Sequence, residues 1–157
     1  MRKRLDQWRA LSRDERGLLV GLVFLLPAIG VALRLLGFRR TSRLLGGSAV
    51  PATARTEVGA DSRAMAMRLG QLVSIASRHG PYAATCLRQS LALSWLLRRR
   101  GLPAEVRVGV GKSDGRVLAH AWVELAGKVI NDHPAIAAEY AAYGELDRSL
   151  PRPHRIS

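Results

Sequence analysis

The only cysteine of this chain, Cys86, directly follows Thr85, a helix-opening residue type, and precedes the apolar run Leu91, Ala92, Leu93, Trp95, Leu96 and Leu97. A thiol in the first turn of a helix meets unpaired backbone N–H groups and the positive end of the helix dipole, which both favour the thiolate. His120 lies between two alanines in a stretch of alternating pattern, which leaves room around an imidazole, and Asp132 follows at the end of a second such stretch. A histidine with one ring nitrogen toward a thiol and the other against a carboxylate can take a proton from sulfur and return it to a leaving amine. Cys86, His120 and Asp132 are therefore the candidate catalytic residues. The N–H groups opening the helix are candidate donors to a tetrahedral oxyanion. Two other uses of these residues compete. A free cysteine often packs as a small hydrophobe, and a strand histidine beside an acid is often a structural pair. A metal site built from Cys86, His120, Asp132 and His133 has only one thiolate and no paired-ligand spacing, so no metal or other cofactor is expected.

Positioning these side chains requires a helix and a sheet. The helix opened by Thr85 ends with Arg98, Arg99 and Arg100 at its negative pole, Gly101 suited to the left-handed position after it, and Pro103 preventing resumption. Residues 106–110 alternate valine with Arg107 and Gly109, which predicts a strand; 111–115 reads as a polar loop. Two further strands are predicted over 117–125 and 128–132. A three-residue loop of Leu125, Ala126 and Gly127, with Gly127 left-handed, makes Glu124 oppose Lys128 and His120 oppose Asp132. A two-residue loop would shift the register and send those side chains to opposite faces. Before the cysteine helix, Met65, Leu69, Leu72 and Ala76 recur at helical spacing behind a capping Asp61, and Arg78, His79, Gly80 and Pro81 end that helix. After Pro134, an alanine-rich stretch with Ile136 and Tyr140 predicts a short helix up to Gly144, and the tail 151–157 reads as mobile.

Residues 48–60 are small and polar with one proline and read as a linker, leaving 1–47 as an N-terminal region and 61–157 as the main domain. Residues 17–33 carry no ionised side chain, flanked by a charged stretch up to Arg16 and by Arg34, Arg39, Arg40 and Arg43. A helix over about 17 residues is roughly 25 Å long, short of a bilayer's hydrocarbon core. Pro27 interrupts the run, so two helices meeting near it are expected. They form a cap on the main domain or a docking surface, with contact to a partner protein or a membrane surface through 17–43; no export signal is expected. With 157 residues, one globular unit is expected. The single cysteine excludes an intrachain disulfide framework and fits a reducing, cytoplasmic setting. A net charge of +13 favours anionic partners. With 5% aromatic residues and no zinc-finger or RNP-like run, nucleic acid is not expected among them.

The stretch 86–132, CLRQSLALSWLLRRRGLPAEVRVGVGKSDGRVLAHAWVELAGKVIND, resembles the lasso peptide biosynthesis B2 proteins. These are transglutaminase-like cysteine proteases that remove the leader from a ribosomally made precursor. Cys-Leu, Leu-Arg-Arg-Arg-Gly, His-Ala-Trp-Val-Glu and Asn-Asp occur in the expected order. The resemblance implies an α+β, papain-like fold whose central helix bears the cysteine and packs on an antiparallel sheet, preceded by a helical N-terminal region. It makes Cys86 the nucleophile, His120 the general base and acid, and Asp132 the residue orienting the histidine. It also implies a precursor leader peptide as substrate, a separate small leader-binding protein as partner, and a later ATP-using cyclase resembling asparagine synthetase. Trp122 shares a strand face with His120 and either walls the site or anchors the core; Gln89 lies one turn from Cys86 and is assigned no step. Two other functions remain open: an acyl transferase using the same triad, and a non-catalytic basic module anchored by its helices.

Overall fold

The computed structural model describes residues 11–46, 58–79, 85–113, 116–136 and 140–142. Among the described residues the chain forms helices α1 (Arg13–Leu44), α2 (Ala60–His79) and α3 (Cys86–Arg98), then strands β1 (Ala104–Ser113), β2 (Arg116–Leu125), β3 (Lys128–Val129) and β4 (Ala141–Ala142). The fold is α+β, as expected. The sheet has the order β3-β2-β1-β4, and each neighbouring pair is antiparallel.

A reciprocal cap starts α1: Ser12 Oγ accepts from the Glu15 N–H at 3.1 Å, while the Ser12 N–H donates to Glu15 Oε2 at 2.9 Å. Contrary to the expected junction at Pro27, the helix runs through the proline and breaks ten residues later, at Gly37, whose φ of 73° and ψ of 171° leave the helical region. Pro27 costs the helix one hydrogen bond, but its neighbours Leu22, Leu26 and Ile29 are buried in the core and hold that face in line. Gly37, which pays no steric penalty for positive φ, supplies the bend.

Helix α2 buries Ala66, Leu69, Leu72, Val73 and Ala76. Met65, expected on that face, is exposed instead; the buried stripe starts one position later, where a small residue lies in the core. Asp61 lies within the first turn and not at the cap, since Gly59 O already accepts from the Arg63 N–H at 3.1 Å. The linker expected over 48–60 falls largely outside the described residues.

Helix α3 is enclosed. Leu91, Ala92, Leu93, Leu96 and Leu97 are buried beside the leucines of α1 and α2 and against Ala104, Val123 and Leu125 of the sheet. Gly101 closes it with a φ of 76°, its N–H on Arg98 O and the Leu102 N–H on Leu97 O, as its sequence predicts.

Strand β1 runs to Ser113 and β2 starts at Arg116, so most of the loop expected over 111–115 is ladder. The β2–β3 connection differs from the expected one. Leu125 pairs with Lys128 and Glu124 with Val129, joined by the two-residue turn Ala126–Gly127 with φ of 50° and 75°. Two positive φ values match the twist of the paired strands, and this offsets the cost of a left-handed alanine, about 1 kcal/mol. The short helix expected up to Gly144 is contradicted at Ala141–Ala142, which pair with Val110 and Gly109 as β4. The tail 151–157 lies outside the described residues.

Candidate active site

Alternation along β2 turns Ala121, Val123 and Leu125 toward the helices and His120, Trp122 and Glu124 toward the other face. On the β3 side, among the described residues, β2 is paired at Glu124 and Leu125, with one further bond from the Ile130 N–H to Val123 O at 2.9 Å. Beyond that point side chains take over the backbone rungs. Asn131 Oδ1 accepts from the Val123 N–H at 2.7 Å, and Ser90 of α3 donates to Ala121 O at 3.0 Å. Asn131 Nδ2 in turn donates to Ser90 Oγ at 3.3 Å, so helix, strand and the segment after β3 meet at one polar knot.

This knot explains how Asp132 reaches His120 although the register differs from the expected one. Had β3 continued, Asp132 would point to the opposite face from His120. The chain instead leaves the ladder after Val129 and swings the Asp132 carboxylate across the open edge of β2, where Oδ2 lies 2.7 Å from His120 Nε2. Both side chains are 24% exposed. Asp132 Oδ1 accepts from the His133 N–H at 2.8 Å, which fixes the second carboxylate oxygen. With Nε2–H donating to Asp132, Nδ1 is the ring nitrogen left to accept a proton.

The imidazole is walled by aromatic rings. Trp122 lies nearly parallel to it, 6.4 Å between centroids, and Tyr140 stands 5.3 Å away at 39°. Trp122 is only 1% exposed and donates from Nε1 to Glu124 Oε1 at 2.9 Å, so it walls the histidine from the sheet face opposite the helix-packed core. Glu124 Oε2 also meets Arg107 Nε at 3.2 Å. Gly109, paired with His120, has no side chain to obstruct this closure: a Cβ there would come within 2.8 Å of Tyr140 Cβ and 2.9 Å of the Trp122 ring.

Cys86 is half-buried at the first residue of α3, after Thr85 in extended conformation. Ser94 is hydrogen-bonded to Ala104 O and Ser90 to Ala121 O, so this side of α3 tracks along the sheet toward the open edge of β2. Cys86 is one turn further along, about 6 Å from Ser90 along the axis. The structure thus brings His120 and Asp132 into direct contact on the sheet face away from the helices, while Cys86 opens the helix packed on the other face; among the described residues no hydrogen bond joins Sγ to the imidazole. Also among the described residues, no group of three or more His, Cys, Asp and Glu side chains converges as a metal site would require.

Sequence reasoning missed Ser90, Asn131 and Tyr140 as parts of this arrangement. Ser90 carries a legible signal, a hydroxyl buried inside an otherwise apolar helix. Asn131 is marked only as part of the Asn-Asp motif and Tyr140 carries no signal, because their roles depend on where the chain leaves β3 and enters β4.

A family model for the transglutaminase-like superfamily matches residues 32–145. The chain therefore belongs to that superfamily, whose members are commonly cysteine peptidases or transferases. The match begins within α1 and takes in α2, α3 and the whole sheet. Comparison with curated proteins and with solved structures found no match.

Proposed function

We propose that this chain is a cytoplasmic cysteine endopeptidase that removes the leader from a ribosomally made lasso peptide precursor. The observation that carries the reading is the His120–Asp132 pair, 2.7 Å between Nε2 and Oδ2, on the strand to which the cysteine-bearing helix α3 is bonded through Ser90. In this mechanism Nδ1 of His120 takes the Cys86 proton and Sγ attacks the carbonyl at the leader–core junction. N–H groups of the first α3 turn stabilise the oxyanion, an effect worth about 3 kcal/mol per donor. His120 then protonates the departing amine of the core peptide, and water attacks the thioester to release the leader. Asp132 holds the ring orientation and stabilises the imidazolium. Contacts between nucleophile and base commonly tighten only when substrate binds, which accommodates the absence of a ground-state thiol–imidazole hydrogen bond.

The resemblance supplies the rest of the proposal. A separate small leader-binding protein presents the precursor, and an asparagine-synthetase-like cyclase closes the ring afterwards. The test is mass-spectrometric cleavage of a precursor, with the leader-binding partner present, by the wild type, Cys86→Ala, His120→Ala and Asp132→Asn. Loss of cleavage in folded Cys86→Ala is expected; full cleavage by that variant overturns covalent catalysis. The superfamily's transferase members make aminolysis the second reading. A product whose mass increases by that of an added amine, less water, would identify it.

A further inference from the structure

Helix α1 is apolar on both faces, but among the described residues only one is covered. Leu19, Leu22, Leu26 and Ile29 are buried in the core, while Val20, Phe24, Val31 and Leu35, spaced by four, seven and four residues on the opposite side, face outward. Phe24 is 73% and Leu35 77% exposed. Beside this stripe a groove of about 650 Å³ opens between α1 and the C-terminal end of α3, walled by Phe24, Leu25, Ala28 and Trp95 and bounded by Arg99 and Arg100. Arg99 lies over the Trp95 ring, 5.0 Å from its centroid. Past the bend at Gly37, exposed Phe38 and Leu44 are interleaved with exposed Arg39, Arg40 and Arg43.

We propose that this face docks the protein flat onto an anionic lipid surface, with the α1 stripe sunk among the acyl chains and the arginines on the headgroups. Charge and polarity together select this occupant. The run 17–33 offers no ionised side chain, whereas protein interfaces typically carry a hydrogen bond per 100–200 Å². An apolar stripe with arginines at its ends and flank matches hydrocarbon beneath phosphate. A second copy would bring Arg99 and Arg100 of one chain toward the same cations of the other, and the net charge of +13 repels any such approach. Crossing the bilayer would strip Leu22, Leu26 and Ile29 from the core, so α1 lies in the interface and does not span it.

The test is flotation of the full chain with vesicles of phosphatidylcholine alone or mixed with phosphatidylglycerol. Binding to the mixed vesicles, weakened by salt and at least about tenfold lower on phosphatidylcholine alone, is expected. Phe24→Glu with Leu35→Glu should reduce it more than about tenfold, and Arg39→Gln with Arg40→Gln by about fivefold per charge. Circular dichroism verifies folding, and Phe24→Ser with Leu35→Ser replaces the glutamate pair if that pair does not fold. Failure of the wild type to float with anionic vesicles overturns the proposal. So does undiminished binding by the folded stripe variants, or a dimer in solution that the same variants dissolve.

Discussion

Helices α1 and α3 look alike as strings of leucine, yet the fold treats them differently. Helix α3 is enclosed by α1, α2 and the sheet, and its polar exceptions are bonded into that sheet: Ser90 to Ala121, Ser94 and Arg98 to Ala104. Helix α1 contributes one face to the same core and, among the described residues, leaves the other exposed. A buried polar group requires a partner, so the hydroxyls of α3 specify its position against β1 and β2. An apolar face requires only removal from water and does not specify what removes it. The contrast teaches that polar residues inside an apolar helix carry the positional information, and here they fix the helix that Cys86 opens.

The sharpest break of this contrast is expected at the end of the α3 line. Asp132→Asn should lower kcat for precursor cleavage by about 10³- to 10⁴-fold with the fold intact, because the amide no longer stabilises the imidazolium. A loss under about tenfold would make the His120–Asp132 bond structural. Next, Leu97→Ala in α3 should cost about 2–5 kcal/mol in denaturant unfolding, against under about 0.5 kcal/mol for Leu35→Ala on the bare face of α1. Equal costs would mean that the outer face of α1 is covered within the protein. Ser90→Ala should cost about 1–3 kcal/mol, since Ala121 O and Asn131 Nδ2 both lose their partner. It should also lower activity by misplacing the start of α3; a neutral result would show that the knot does not position the helix.

The smallest effect belongs to the tie between α1 and α2. The Arg68 guanidinium, 2.7 Å from Glu15 Oε1, and the Ser12 N–H hold the Glu15 carboxyl below its ordinary range. A carboxylate whose pKa is lower in the folded chain stabilises above its unfolded pKa and loses that contribution as pH falls through the folded one. Melting temperature against pH should therefore decline slightly more steeply in the acid range for the wild type than for Arg68→Ala. Parallel curves would show that this exposed pair contributes nothing.

Much of this was legible from local rules. Gly101 after three arginines marked the end of α3, valine alternation marked β1, and the position of Cys86 after Thr85 marked the helix start. Local rules failed where a local preference met a tertiary demand. Ala126 disfavours positive φ, yet takes it because the tight turn pairs β2 with β3. Pro27 disfavours a helix interior, yet stays in one because Leu22, Leu26 and Ile29 are held in the core. Ala141 and Ala142 favour helix, yet add a strand at the free edge of β1.

By itself the amino-acid order determined where α3 begins and ends, that one face of residues 17–33 enters the core, and which residue types are candidates for chemistry. Tertiary structure alone decided that Asp132 reaches His120 by leaving the sheet, and that Asn131 and Ser90 take over the missing rungs of β2. It also decided which face of α1, through Leu19, Leu22, Leu26 and Ile29, enters the core. The physical reason is reach. Helix caps, charge and periodicity act over a few residues, whereas a hydrogen bond between positions 41 apart, as between Asn131 and Ser90, exists only once the chain has folded back on itself.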